Sequence, residues 1–114
     1  MVVKETQFLG SSIEGSGMIF YDGRYVDVRD NTLISGYSLG DGVYLDNTKY
    51  FKMSESQVTG NATGIYGQNK SNVFIRSGSL IDLNTGYGVE MYGGSDYGLV
   101  DVSCSTFDDN DIGI

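Results

Sequence analysis

Chemistry in this chain would have to be carried by very few groups. Asp108, Asp109 and Asp111 are the densest acids, Arg24, Arg29 and Arg76 are the arginines, Cys104 is the one thiol, and histidine is absent from all 114 residues. Without imidazole, Ser-His-Asp and Cys-His nucleophilic arrangements and ordinary histidine metal sites are excluded. Clustered carboxylates can hold a hard cation through oxygen. The spacing of Asp108, Asp109 and Asp111 is not that of a calcium loop, however, and aspartate in a Gly/Asn-rich turn is explained by the turn itself. Cys104 stands between Ser103 and Ser105 with no base to make it a thiolate, and it reads as a small packed residue. The glycine-rich YGGSDYG at 92–98 lacks the Lys-Ser/Thr pair and the following helix of a phosphate loop and reads as a turn. Glycoside hydrolysis needs two carboxyls facing each other across a cleft, and the segments here are too short to wall one. The expectation is a chain that is not an enzyme and has no metal or cofactor.

Composition narrows the partner. Fifteen acids against seven bases give a net charge of −8, which repels nucleic-acid phosphates and anionic membrane surfaces and attracts a basic macromolecule. Seventeen glycines, nine tyrosines and no proline or tryptophan are the make-up of strands joined by Gly, Asn, Asp and Ser turns, not of helices. A single cysteine forms no internal disulfide, so a reducing compartment is compatible. MVVKETQFLG has neither the basic start nor the apolar run of a secretory signal, and no segment approaches the ~20 apolar residues of a membrane helix. A soluble, cytoplasmic protein is expected.

The elements that position these residues recur. Phe8, Ile34, Val58, Ile81 and Phe107 are lone apolar residues at steps of 26, 24, 23 and 26. Two residues before each stands a hydroxyl, in Thr6, Thr32, Ser56, Ser79 and Ser105, and three after come Ser11, Tyr37, Asn61, Asn84 and Asn110. A second column, Gly17-Met18, Gly42-Val43, Gly64-Ile65, Gly88-Val89 and Gly113-Ile114, has steps of 25, 22, 24 and 25. Between them, Val26/Val28, Phe51/Met53, Val73/Ile75 and Val100/Val102 alternate with one intervening residue, the period of a strand with one buried face. Val2 or Val3 with Phe8 begins a first coil. Three short strands per repeat cannot bury their apolar faces alone, but coils stacked at about 4.8 Å can. The chain therefore reads as one all-β domain over residues 1–114, a parallel β-solenoid of about four to five coils with three short strands per coil.

These Ser/Thr, apolar, Asn and Gly positions resemble the right-handed parallel β-helix superfamily, which includes pectate lyases, polygalacturonases, alginate-modifying enzymes and phage tailspikes. The resemblance covers nearly the whole chain. It implies that Asn61, Asn84 and Asn110 stack as an internal amide ladder; Tyr37 and Ser11 depart from that column, so the ladder runs through the last three coils. Polygalacturonase chemistry has a histidine-containing strand, which is missing here. A lyase-type arginine base would have to be Arg24, Arg29 or Arg76. Arg76 ends a strand with no acidic cluster assigned to its face, and it reads as structural or solvated.

What remains are surfaces. After each Gly column residue the outward position reads Ile19, Tyr44, Tyr66 and Glu90, with Tyr21, Tyr50, Tyr92 and Tyr97 in the turns nearby. Exposed tyrosine stripes mark binding sites, and equally they are ordinary cross-strand stacking. Asp22, Asp46 and Asp96 alternate with Arg24, Lys49 and Lys70 and read as a solvated charge ladder. Solenoids need capped ends, and no cap is visible. Because Met1 leads straight into a first strand, the chain is expected to be whole and to pair with a second copy through Asn110, Ile112, Gly113 and Ile114.

The resulting expectation is a non-catalytic acidic β-helix that blocks a basic, nucleic-acid-handling protein, as phage anti-CRISPR inhibitors do, through Tyr44, Tyr66, Glu90, Asp46 and Asp96. It would act in the cytoplasm of a host cell. The alternative is a carbohydrate-binding or carbohydrate-processing tailspike or lyase fragment, on a virion or outside the cell. A third reading is a structural stalk.

Overall fold

A computed structural model describes residues 1–10, 14–93 and 98–114, and every regular element among them is a strand. The first sheet stacks β1 (Val2–Lys4), β4 (Val26–Arg29), β7 (Phe51–Ser54), β10 (Asn72–Arg76) and β13 (Leu99–Val102) in that order. The second stacks β2 (Gln7–Leu9), β5 (Leu33–Ser35), β8 (Gln57–Thr59), β11 (Leu80–Asp82) and β14 (Thr106–Asp108). The third stacks β3 (Met18–Tyr21), β6 (Asp41–Asp46), β9 (Thr63–Gln68) and β12 (Val89–Tyr92). Each strand pairs in parallel with its equivalent one coil away, giving four complete coils and two strands of a fifth.

The register superposes the residues that recur in the sequence. Val28, Met53 and Ile75 stand in line, as do Ile34, Val58 and Ile81, and Val43, Ile65 and Val89. All nine are fully buried. Removing such a side chain from water contributes about 1.5–3 kcal/mol, and the three sheets bring these columns together into one core. The inward residues of the outermost coils, Val3, Phe8, Val100, Val102 and Phe107, are only partly covered.

Corners are made by single left-handed residues. The residue before each hydroxyl of the repeat, Glu5, Asn31, Glu55, Gly78 and Cys104, has φ of 48°, 61°, 46°, 72° and 49°. The hydroxyls then cap the strand just ended: Thr32 Oγ1 donates to the Arg29 carbonyl at 2.9 Å and Ser79 Oγ to that of Arg76 at 2.8 Å. A left-handed corner turns its side chain outward, so Cys104 is exposed and not the packed residue its size suggests.

At the next corner Gly36, Gly60, Leu83 and Asp109 are left-handed, with φ of 87°, 66°, 53° and 47°. The following residue therefore points inward, and the expected ladder is present. Asn61 Nδ2 donates to Asn84 Oδ1 at 3.2 Å and Asn84 Nδ2 to Asn110 Oδ1 at 2.7 Å, while Asn110 Nδ2 reaches the Ile81 carbonyl at 2.8 Å. Tyr37 ends it from above by donating its backbone N–H to Asn61 Oδ1 at 3.0 Å. The ladder also accounts for a glycine: a Cβ on Gly42 would lie 2.7 Å from the Gly64 carbonyl oxygen and 2.8 Å from Asn61 Nδ2.

Candidate binding face

The outward side of the third sheet carries two columns. One is Ile19, Tyr44, Tyr66 and Glu90, directly in register; the other is Tyr21, Asp46, Gln68 and Tyr92. A repeat of about 4.8 Å falls within the roughly 4.5–7 Å centroid separation of offset-stacked rings, so aromatic side chains in adjacent coils can stack. Tyr44 and Tyr66 are 5.5 Å apart between centroids and 13° from parallel, and Tyr21 leans on Tyr44 at 5.9 Å and 56°. The two central rings are half-buried, while Tyr21 and Tyr92 are about two-thirds exposed, at 67% and 68%. Tyr44 has ring neighbours on both sides in Tyr21 and Tyr66, whereas the next coil places Glu90, not a ring, in register with Tyr66.

Carboxylates surround it. Asp46 accepts from Gln68 Nε2 at 2.8 Å and from Asn69 Nδ2 at 2.7 Å, and Asp22 accepts from Asn47 Nδ2 at 2.7 Å. Asp22 and Asp46 are thus tied to amides of the next coil, while Asp96, the third acid of the expected charge ladder, lies outside the described residues. Tyr66 hydroxyl donates to Gln68 Oε1 at 3.4 Å, which joins the two columns. Burial, and then the nearby Glu90 carboxylate, push the half-buried Asp41 carboxyl at the start of β6 from 3.8 up to about 6. Burial followed by Asp46 raises the Tyr44 phenol, and burial followed by Glu90 raises that of Tyr66. The face is anionic, aromatic and fixed by hydrogen bonds. Asp41 was not singled out from the sequence, because its burial and its proximity to the Glu90 charge two coils away arise only when the coils stack.

Tyr44, Tyr66, Glu90 and Asp46 therefore come together on one face, while Asp96, like Tyr97, Ser11 and most of the YGGSDYG stretch, lies outside the described residues. Tyr50 does not join them. It belongs to a second stack on the first sheet, 5.1 Å from Tyr25 and 4.5 Å from Phe74. The Arg76 guanidinium continues that stack 5.3 Å from the Phe74 centroid, and it is clamped by Asp101 of the next coil through Nη1–Oδ1 at 3.1 Å and Nη2–Oδ2 at 2.9 Å. Arg76 is thereby held in a structural pair. The one-coil spacing of Tyr25 and Tyr50 was the signal for this second stack.

Asn110, Ile112, Gly113 and Ile114 line the last coil, where Gly88 and Val89 donate to the Ile112 and Gly113 carbonyls at 2.7 and 2.9 Å. Ile112 and Ile114 are exposed. Asp108 caps the Asp109 N–H at 3.1 Å, and among the described residues no group of three or more acids, cysteines or histidines is placed to hold a metal ion. Among the same residues no helix is long and apolar enough to cross a membrane.

A three-sheet prism of superposed coils with an inner amide ladder defines a parallel β-helix. Residues 3–114 match the family described as right handed beta helix region, and the chain belongs to it. No curated protein and no solved structure matches the chain.

Proposed function

We propose that this protein is a non-catalytic binding module whose third-sheet face occupies a basic surface on another protein, of the nucleic-acid-handling class that a chain of net charge −8 attracts. In the cytoplasm of a host cell such binding would block that protein, in the manner of an anti-CRISPR inhibitor. The observation that carries the reading is the in-register column Tyr44, Tyr66, Glu90, flanked by Asp46, with rings locked in place before any partner arrives. Rigid tyrosines lose little entropy on binding and are enriched among residues that dominate interface energies. Mutual stacking of Tyr44 and Tyr66 covers the faces between the two rings and leaves no run of open ring faces for successive sugar units, which favours a protein partner over a carbohydrate. The proposal includes pairing of two copies through Asn110, Ile112, Gly113 and Ile114.

The test is affinity for a panel of basic nucleic-acid-binding proteins across a salt series, with Tyr44→Ala and Tyr66→Ala as variants. Binding should weaken steeply as salt rises and fall roughly 30-fold or more with either variant, the loss of a central interface anchor. Salt-independent affinity, or variants that bind like wild type, would contradict the reading.

A further inference from the structure

The first sheet contains, within the chain, a completed version of an arrangement that the third sheet leaves unfilled. On the first sheet, Phe74 and Asp101 are register neighbours in adjacent coils. The arginine two residues after Phe74 lays its guanidinium against the ring and closes a bidentate pair with the carboxylate. On the third sheet, Tyr66 and Glu90 are register neighbours in the same sense. The residue two after Tyr66 is Gln68, a neutral amide whose Nε2 is spent on Asp46. Among the described residues no cation pairs with Glu90. In both sheets an aromatic stack runs up to the ring in question: Tyr25 and Tyr50 lead to Phe74, and Tyr21 and Tyr44 lead to Tyr66. Tyr replaces Phe and Glu replaces Asp on the third sheet, but ring and carboxylate keep the same register and, among the described residues, only the guanidinium is missing.

We propose that the Tyr66–Glu90 pair is a receiving subsite for one arginine side chain of the partner protein, which supplies the guanidinium that Arg76 supplies to Phe74 and Asp101. The inference rests on the reading of the third sheet as the binding face and adds the identity of its central contact. Arginine suits the site better than lysine. Its planar, weakly hydrated guanidinium can lie on a ring while offering two parallel N–H donors to one carboxylate, whereas an ammonium is a compact point charge that gives up more hydration and pairs through single hydrogen bonds. A partner's arginine also finds both elements prepositioned, because Tyr66 is held by its stack on Tyr44 and its hydroxyl by Gln68. General acidity alone attracts either cation equally.

The experiment is calorimetric titration of the full chain with hexa-arginine, hexa-lysine and hexa-citrulline at one fixed salt concentration. Hexa-arginine should bind about tenfold more tightly than hexa-lysine, and the neutral planar citrulline peptide at least about tenfold more weakly than hexa-arginine. Tyr66→Leu and Glu90→Gln should each bring the arginine-to-lysine ratio close to one. Gln68→Arg, which places a guanidinium in the position that Arg76 holds on the other sheet, should do the same by filling the subsite from within. Phe74→Leu on the first sheet should leave the ratio unchanged. Circular dichroism confirms that each variant is folded. Equal binding of the arginine and lysine peptides to wild type, or an arginine preference that survives Tyr66→Leu or Glu90→Gln, overturns the subsite while leaving a charge-driven face intact. If neither cationic peptide binds, the binding-face reading falls, and the subsite with it.

Discussion

Asn84 donates its side-chain N–H to the Oδ1 of Asn110 at 2.7 Å, one coil along, while its own Oδ1 takes the backbone and side-chain N–H groups of Asn61 at 3.1 and 3.2 Å. One buried amide thus satisfies groups of three coils, and the corner where backbone would otherwise lack partners becomes a ladder. Leaving buried donors unmet costs about 1–3 kcal/mol each. Asn84→Ala should therefore lower unfolding free energy by about 3 kcal/mol or more in urea denaturation. A loss near zero would mean that the ladder is incidental.

Leu83 occupies the left-handed position that Gly36 and Gly60 hold in earlier coils, and its side chain is exposed. Left-handed backbone costs a residue with a Cβ about 1–2 kcal/mol, partly offset in glycine by unfolded-state entropy. Leu83→Gly should accordingly stabilise the fold by up to about 1 kcal/mol, seen as a melting temperature higher by roughly 4 °C. Destabilisation would show that Leu83 is held by contacts and not strained.

Asp41 gives the fold a pH dependence of definite sign. Its folded value, about 6, lies above 3.8, so between those values the folded chain binds more protons than the unfolded one. Stability from this group is fully present below about pH 4 and is lost as pH rises through about 6. Because solvent still reaches the carboxyl, the effect is discounted to about 1 kcal/mol. Asp41→Asn should flatten that part of the stability profile and raise stability at pH 7; an unchanged profile would contradict the desolvation of Asp41.

Cys104 should react with a maleimide in the native protein, without denaturant and without a change in melting temperature, because its left-handed corner directs the thiol outward. Labelling only after unfolding would restore it to the core.

Pairing of two copies through the last coil brings Asp108, Asp109 and Asp111 of both near one another. Sedimentation should then show association that strengthens toward about 1 M salt, where the Debye length is about 3 Å. Association strongest at low salt would exclude this interface.

The columns Ile34, Val58, Ile81 and Asn61, Asn84, Asn110 were legible in the sequence because one coil maps onto one repeat and superposed strands need like residues. Corners were harder. The series Glu5, Asn31, Glu55, Gly78, Cys104 is as periodic as the core columns, and three polar residues and a glycine in it already signal an outward position, but cysteine's own tendency to pack points the other way. Tyr50 was assigned to the wrong face because it follows the corner Asn47, Thr48, Lys49 and so opens the first sheet instead of closing the third. The pairing of Asp22 and Asp46 with amides was hidden for a related reason: alternating charges in a corner do not reveal which side chains one coil away are long enough to reach them.

Where a cation lands separates the third-sheet face from the rest of the anionic surface. Backbone amide shift mapping of the full chain during titration with hexa-lysine tests this without assuming the arginine subsite. The predicted result is a set of perturbations centred on Ile19, Tyr44, Tyr66 and Glu90 that fades as salt is added. Perturbations centred on Asp108, Asp109 and Asp111, or spread over all three sheets alike, would contradict it.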